Sequence, residues 1–304
     1  MIKNLLNNKF KNDCNIFYNE KMSKHVTFGT GGVARYYFEP YSIEVLIKLL
    51  DFLKDFAITT IVIGGGSNLL ISDSGFEGAI ISTRRLQNVC QFDNFINADA
   101  GVRLGKLQEI ALNNSLSGLE ALSKIPGTLG GAIYNNSGAF NHSIGENVIE
   151  VCYYDGEIKY VKGDNCCFDY RKSVFRRTNN VILSAKLRLK RDNFIDILHK
   201  ESEFTKKRRE LQPQKVKCAG SVYLKSHDNS AGYLIDCCGL KGYRVGGAYV
   251  SKKHANFIIN DGSATSNDIY KVMNYVEKCV YDAFGIVLER EIRLIGDFCE
   301  LKNT

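Results

Sequence analysis

A chain of 304 residues, 44% of them hydrophobic, carries enough apolar mass for two domains with separate cores. No apolar run approaches the ~18 residues of a membrane-spanning helix, and the two-residue patch Leu5-Leu6 is too short for a secretory signal, so a cytoplasmic protein is expected. The charge of +7, from 40 basic and 33 acidic residues, suits anionic small molecules and nucleic acid alike and does not choose between them.

The ten cysteines include the adjacent pairs Cys166-Cys167 and Cys237-Cys238 and no Cys-x-x-Cys. Adjacent cysteines bridge each other poorly and zinc sites favour that missing spacing, so reduced, mostly buried thiols and no metal are expected.

Along the chain, Val45, Leu46, Leu49, Leu50, Leu53 and Phe56 fall at helical spacing and predict a helix over 42–56. The β-branched run Thr59-Thr60-Ile61-Val62-Ile63 predicts a buried strand, followed by Gly64-Gly65-Gly66-Ser67-Asn68. Helix, strand and glycine turn in that order are an α/β pattern. A second helix is predicted over 104–114, and a half-buried strand over 181–189 from alternating Val181, Leu183, Ala185, Leu187 and Leu189. The polar stretch Lys190-Arg191-Asp192-Asn193 marks the expected domain joint. Beyond it a charged helix over 194–211 carries Lys206-Lys207-Arg208-Arg209, read as a solvated face rather than an RNA groove. Thr265-Ser266-Asn267-Asp268 opens a later helix with a capping box, and 287–295 is the last strand candidate.

Two glycine-rich segments carry the chemistry. Gly64 to Asn68 follows a strand, and Ile125-Pro126-Gly127-Thr128-Leu129-Gly130-Gly131-Ala132 makes a turn whose small residues could open a helix facing a pyrophosphate. The first is not a dinucleotide fingerprint, since Leu69 stands where the third glycine belongs, nor is it a P-loop. Together they point to a pyrophosphate-bearing cofactor; spacing does not separate FAD from another dinucleotide.

Seven blocks then occur in order: His25-Val26-Thr27-Phe28-Gly29-Thr30-Gly31-Gly32, GGGSNLL, IPGTLGGAIYNNSGA, Tyr170-Arg171-Lys172-Ser173, Ala219-Gly220-Ser221-Val222-Tyr223, Lys253-His254-Ala255-Asn256-Phe257 and Arg290-Glu291-Ile292-Arg293. Together they resemble the UDP-N-acetylenolpyruvoylglucosamine reductase family from about His25 to Ile295, in its shorter form without a tyrosine-bearing insertion between Arg171 and Ser221. The resemblance implies a mixed α+β and α/β fold. An FAD-binding region of the p-cresol methylhydroxylase type would span 1–192, in lobes of about 1–84 and 85–192. A C-terminal α+β substrate domain would span 193–304.

The resemblance implies FAD and NADPH as cofactors and UDP-N-acetylglucosamine enolpyruvate as substrate, reduced to UDP-N-acetylmuramate for peptidoglycan. Nucleic acid and membrane are not implied as partners, and a monomer is expected. It implies cofactor binding by Gly64, Gly65, Gly66, Ser67, Asn68, Gly127, Thr128, Gly130, Gly131, Ala132, Gly138 and Ala139. Arg171 would stabilise an enolate, Ser221 would protonate it, and Glu291 would polarise it or help supply the proton. Tyr170, Lys225 and His254 would contact substrate. A related FAD oxidase or dehydrogenase with another substrate is the alternative. Four departures from the family pattern stand out: Lys172 where an acid is usual, Gly29-Thr30 in place of an arginine and an aliphatic residue, Leu224-Lys225-Ser226 after the serine strand, and Phe140-Asn141-His142.

Overall fold

The computed structural model describes residues 2–178, 180–225 and 229–298. The described chain forms two compact units, one from Met1–Phe17, Tyr36–Gly65 and Gly78–Arg208, the other from Tyr18–Arg35, Gly66–Glu77 and Arg209–Thr304. These units do not coincide with the contiguous 1–192 and 193–304 division expected from the polar joint. Long-range pairing draws 66–77 into the second unit: Leu69–Ile71 runs parallel to Arg293–Ile295, and the Asp73 carboxylate accepts the backbone N–H groups of Ser266 and Asn267.

In the first unit, α1 (Ile2–Phe10) buries Leu6 and Phe10, and Phe10 meets Phe52 edge-on at 5.6 Å. Phe52 lies on α2 (Ile43–Asp55), which starts where Ser42 Oγ accepts the Val45 N–H and buries Leu46, Leu49, Phe52 and Leu53 on one face. The following strand Thr60–Ile63 pairs in parallel with Ala79–Ser82, at the edge of its sheet. Only Ile63 of this strand is buried, because an edge strand lacks a neighbour on one side; the expected fully buried strand is half-exposed.

α3 (Leu104–Asn113) and the short α4 (Leu129–Tyr134) contribute to the main core, with a five-stranded sheet ordered Ile158–Lys162, Val148–Tyr154, Val181–Arg188, Phe95–Asp99, Val89–Phe92. All its pairings are antiparallel. Strand 181–188 alternates as expected, with Leu183, Ala185 and Leu187 buried. On α5 (Phe194–Leu211) the only buried residues are Ile197 and Arg208, so the reading of Lys206–Arg209 as solvated fails at Arg208.

In the second unit, α6 (Ala231–Cys237) and α7 (Ser266–Phe284) share a core with a three-stranded antiparallel sheet of Arg244–Val245, Ala248–Val250 and Ile258–Asn260. The capping box at Thr265 and Asp268 is present, and Gly285, at φ +67°, ends the helix in the left-handed conformation. Of the strand expected over 287–295 only Arg293–Ile295 is regular; upstream the chain makes an isolated bridge between Arg290 and Tyr223. No described helix is long and apolar enough to cross a membrane. The nine described cysteines are free, yet only Cys14, Cys152 and Cys166 are buried, fewer than expected. Burial pushes the Cys14 thiol up to about 12 and the Cys166 thiol up to about 11.

Candidate active site

The two glycine segments meet in the first unit. A Cβ on Gly64 would lie 2.4 Å from Thr128 Oγ1, and one on Gly65 would lie 2.9 Å from Gly127 Cα. Glycine is therefore needed at both positions for the backbones to approach. The second segment is pinned from behind: Leu129 N–H donates to Val102 O and Gly130 N–H to Ala100 O, both at 2.8 Å. This modifies the expectation of a helix N-terminus open to a pyrophosphate, because two of the first amides of α4 are already spent. What remains on the Gly64 side is the Gly131 amide and the Thr128 hydroxyl. Thr128 is 2% exposed and its Oγ1 has no partner among the described residues. A buried orphan hydroxyl costs free energy unless something accepts or donates there, so the cradle fits a bound phosphate oxygen.

The rest of the first glycine segment serves other contacts. Gly66, at φ +68°, packs against the His25 carbonyl, and its own carbonyl accepts the Thr27 N–H at 3.0 Å. Asn68 Nδ2 donates to the Glu291 carbonyl at 3.0 Å. Gly66, Ser67 and Asn68 belong to the second unit, whereas Gly64 and Gly65 belong to the first. Gly138 and Ala139 pair with Ser143 and His142, and a Cβ on Gly138 would collide with the His142 carbonyl, so hairpin closure alone demands that glycine.

Arg171 sits in the first unit at φ +53°, a left-handed conformation that costs a non-glycine residue about 1–2 kcal/mol. Arg176 Nη1 holds its carbonyl at 2.7 Å, and Arg171 Nη2 donates to Gly138 O at 2.7 Å. The Arg171 guanidinium also lies 5.2 Å from the Tyr170 ring. Ser173 Oγ donates to the Tyr134 carbonyl at the end of α4, which ties this loop to the glycine segment. Lys172 pairs with Asp169 at 3.7 Å, and both side chains are more than half exposed. The charge at this departure is directed to its own turn.

Arg208 is the residue that reading the sequence missed. It is 8% exposed, its Nε donates to Ser123 O at 3.0 Å, and its guanidinium lies 5.5 Å from the Phe140 ring. Burial, then the like charge of Arg171, lowers its hold on its proton. Ser123 precedes the Pro126-Gly127 turn, so Arg208 braces the glycine segment from α5. Position within a four-residue basic run gave no signal of this.

In the second unit the irregular segment around Ser221 lies against the chain around Glu291, joined by an isolated bridge between Tyr223 and Arg290. Glu291 N–H donates to Val222 O at 2.8 Å, and Leu224 N–H donates to Glu289 O at 2.8 Å. Ser221 and Glu291 thus flank a shared backbone contact. Arg290 bonds Glu277 of α7, Nη2 to Oε2 at 2.7 Å, rather than pairing with Glu291. Val222 N–H also donates to Asn256 O at 2.9 Å, while the Asn256 side chain bonds both the N–H and the carbonyl of Tyr223. This places His254 two residues from Asn256, the partner of Val222 and Tyr223. Burial pushes the His254 imidazole below its ordinary range, with Lys241 adding to it, so it is neutral at pH 7. Its Nδ1 accepts the Asn256 N–H at 3.2 Å, which leaves Nε2–H as a donor. Lys225 is exposed four residues beyond Ser221. Among the described residues no group of three His, Cys, Asp or Glu side chains is arranged to hold a metal.

Comparison with known proteins decides the family. Residues 34–159 match the family model described as FAD binding domain, and residues 212–295 match that of the UDP-N-acetylenolpyruvoylglucosamine reductase C-terminal domain. The chain is 42% identical over 281 residues to the UDP-N-acetylenolpyruvoylglucosamine reductase of Caldicellulosiruptor bescii, covering 91% of this chain and 90% of that one. The reductase of Clostridium botulinum is 36% identical over 96% of this chain and 97% of its own. The chain belongs to the UDP-N-acetylenolpyruvoylglucosamine reductase family.

The crystal structure of the Thermus caldophilus reductase matches with a TM-score of 0.80 at 29% identity, over 93% of this chain and 99% of that one. This reductase-family fold therefore consists of an FAD-binding region followed by the family's C-terminal domain. Within it, replacing Arg208 by methionine is expected to strand the Ser123 carbonyl and cost about 2 kcal/mol, read as a lowered urea midpoint at unchanged slope. Retention of the wild-type midpoint would remove the bracing role.

Proposed function

We propose that the chain is a cytoplasmic, FAD-dependent oxidoreductase that uses NADPH to reduce UDP-N-acetylglucosamine enolpyruvate to UDP-N-acetylmuramate, a peptidoglycan precursor. It works as a monomer, without metal, nucleic acid or membrane. The observation that carries this reading is the 42% identity to a reductase along nine-tenths of both chains. FAD binding is assigned mainly to the region up to 192 and substrate binding to the region beyond it.

Gly64, Gly65 and Thr128 would hold FAD, whose chemistry when bound is hydride transfer from NADPH to the enolpyruvyl methylene carbon. Negative charge then builds on the neighbouring carbon and its carboxylate. Arg171, already anchored through Gly138 and Arg176, would offer a fixed guanidinium to that charge. Ser221 would deliver its hydroxyl proton to the neighbouring carbon and recover one from solvent, completing the lactyl ether. Glu291 would polarise the developing enolate or help supply the proton. Tyr170, Lys225 and neutral His254 would orient the nucleotide. Gly64, Gly65, Gly127, Thr128, Gly130, Gly131 and Ala132 would hold the diphosphate of FAD, with Gly66, Ser67, Asn68, Gly138 and Ala139 at its margins.

Purified protein is expected to be yellow, with flavin absorbance near ~450 nm that NADPH bleaches and the enolpyruvyl nucleotide restores without oxygen. Restoration by small alcohols or hydroxy acids, but not by that nucleotide, would favour the oxidase or dehydrogenase reading. Protein that takes up no FAD would overturn both.

A further inference from the structure

The short hairpin that pairs Gly138 with Ser143 and Ala139 with His142 turns at Phe140 and Asn141, both left-handed at φ +54° and +66°. Hairpin turns with two such central residues favour asparagine, aspartate and glycine, so Phe140 is held there against its backbone preference. The same residues, Phe140-Asn141-His142, depart from the family pattern. What holds them lies on α5. The Phe140 ring stacks on Phe204 at 5.3 Å and 24°, and the His142 ring meets Phe204 edge-on at 6.1 Å. Arg208, one helical turn further along the same face of α5, sets its guanidinium 5.5 Å from the Phe140 ring.

The other end of the hairpin reaches Arg171. Gly138 O accepts Arg171 Nη2 at 2.7 Å, and a Cβ on Gly138 would lie 2.1 Å from the His142 carbonyl, so Gly138 moves only together with the returning strand. The hairpin therefore touches two like-charged groups, Arg171 through a carbonyl and Arg208 through a ring. Arg176 holds the backbone of Arg171, whereas the Gly138 carbonyl holds its head group. Phe140 and Phe204 are half-buried and stand outside the main core of the unit. Their stack is not needed to fill that core; what it fixes is the hairpin.

We propose that Phe204 is a positioning residue for the reduction: by clamping Phe140 and His142 it fixes the Gly138 carbonyl, and that carbonyl aims the Arg171 guanidinium at the developing enolate. The inference rests on the reading of Arg171 as the cation that meets this charge. The need is directional. A guanidinium at the end of a long side chain stabilises charge only where it points, and a misplacement of about 1 Å can cost about 10²-fold in rate.

Stopped-flow absorbance on the FAD-loaded enzyme tests it. Phe204→Ala is expected to leave NADPH-driven flavin reduction within about twofold of the parent and to slow reoxidation by saturating enolpyruvyl nucleotide about tenfold or more. Phe204→Tyr keeps the stack and should stay within about twofold of the parent in both steps. Phe140→Gly suits the turn and removes only the ring, so it should fold readily and show the same slowing as Phe204→Ala. Combining Phe204→Ala with Arg171→Met should cost no more than Arg171→Met alone, because both act through one group. Without substrate, phenylglyoxal should label Arg171 about threefold faster in Phe204→Ala than in the parent, measured by mass spectrometry against exposed Arg188. Parent-like reoxidation or labelling in Phe204→Ala, or losses that multiply in the double variant, would overturn the clamp and leave the role of Arg171 standing. Parent-like reoxidation in Arg171→Met would overturn that role and the clamp with it.

Discussion

Replacing Ser221 by alanine is expected to leave NADPH-driven flavin reduction within about twofold of the parent and to slow turnover of the enolpyruvyl nucleotide by ~10²–10⁴, the usual worth of a positioned proton donor. The split follows from where the hydroxyl sits. The segment is held through the backbone of Val222, which bonds Asn256 and Glu291, and through the Asn256 side chain on Tyr223. Removing one oxygen from half-buried Ser221 leaves that frame in place. Stopped-flow absorbance separates the half-reactions. Equal losses in both would show that Ser221 acts through structure or through the cofactor and not as the proton donor.

Gly65→Val is expected to yield folded protein that retains less than about a tenth of its FAD. A Cβ there lies 2.9 Å from Gly127 Cα, a backbone atom that cannot rotate away, and the two valine methyls add to the collision. Overpacking of this kind costs about 1–3 kcal/mol, and its relief must push the two glycine segments apart. Thr128→Val provides the comparison, since it keeps the volume and removes only the orphan hydroxyl; a fall in FAD affinity of about tenfold is expected. The ratio of 450 to 280 nm absorbance measures retention, and far-UV circular dichroism reports folding. Full flavin content in a folded Gly65→Val protein would refute the cradle.

Local signals were legible in the sequence wherever periodicity or capping controls the outcome. The helix from Ser42, the alternating strand through Leu183, Ala185 and Leu187, and the Thr265 capping box all occur as their residues require. The strand at Thr60–Ile63 was legible as a strand but not as an edge, because edge position depends on which other strands arrive. The same limit applies to the division into compact units. A polar stretch at 190–193 is a local cue, whereas 66–77 joins the second unit through pairing with residues more than 200 positions away.

Of the candidate site, the close approach of Gly64-Gly65 to Gly127-Thr128 was foreshadowed by residue type, since two loops of small residues invite contact. The diversion of the Leu129 and Gly130 amides to Val102 and Ala100 was not, because nothing in the spacing names their acceptors. Arg208 shows the reverse failure. Its neighbours Lys206, Lys207 and Arg209 face solvent, and only the tertiary position of the Ser123 carbonyl distinguishes it from them.

The anchoring of Leu129 and Gly130 bears on how the enzyme acquires its cofactor. A loop that must be ordered on binding surrenders conformational entropy of about 1–2 kcal/mol per residue, subtracted from affinity. Here that ordering is completed during folding, by bonds to Val102 and Ala100 that involve no ligand. Order secured by these bonds is not subtracted again from affinity when the flavin binds.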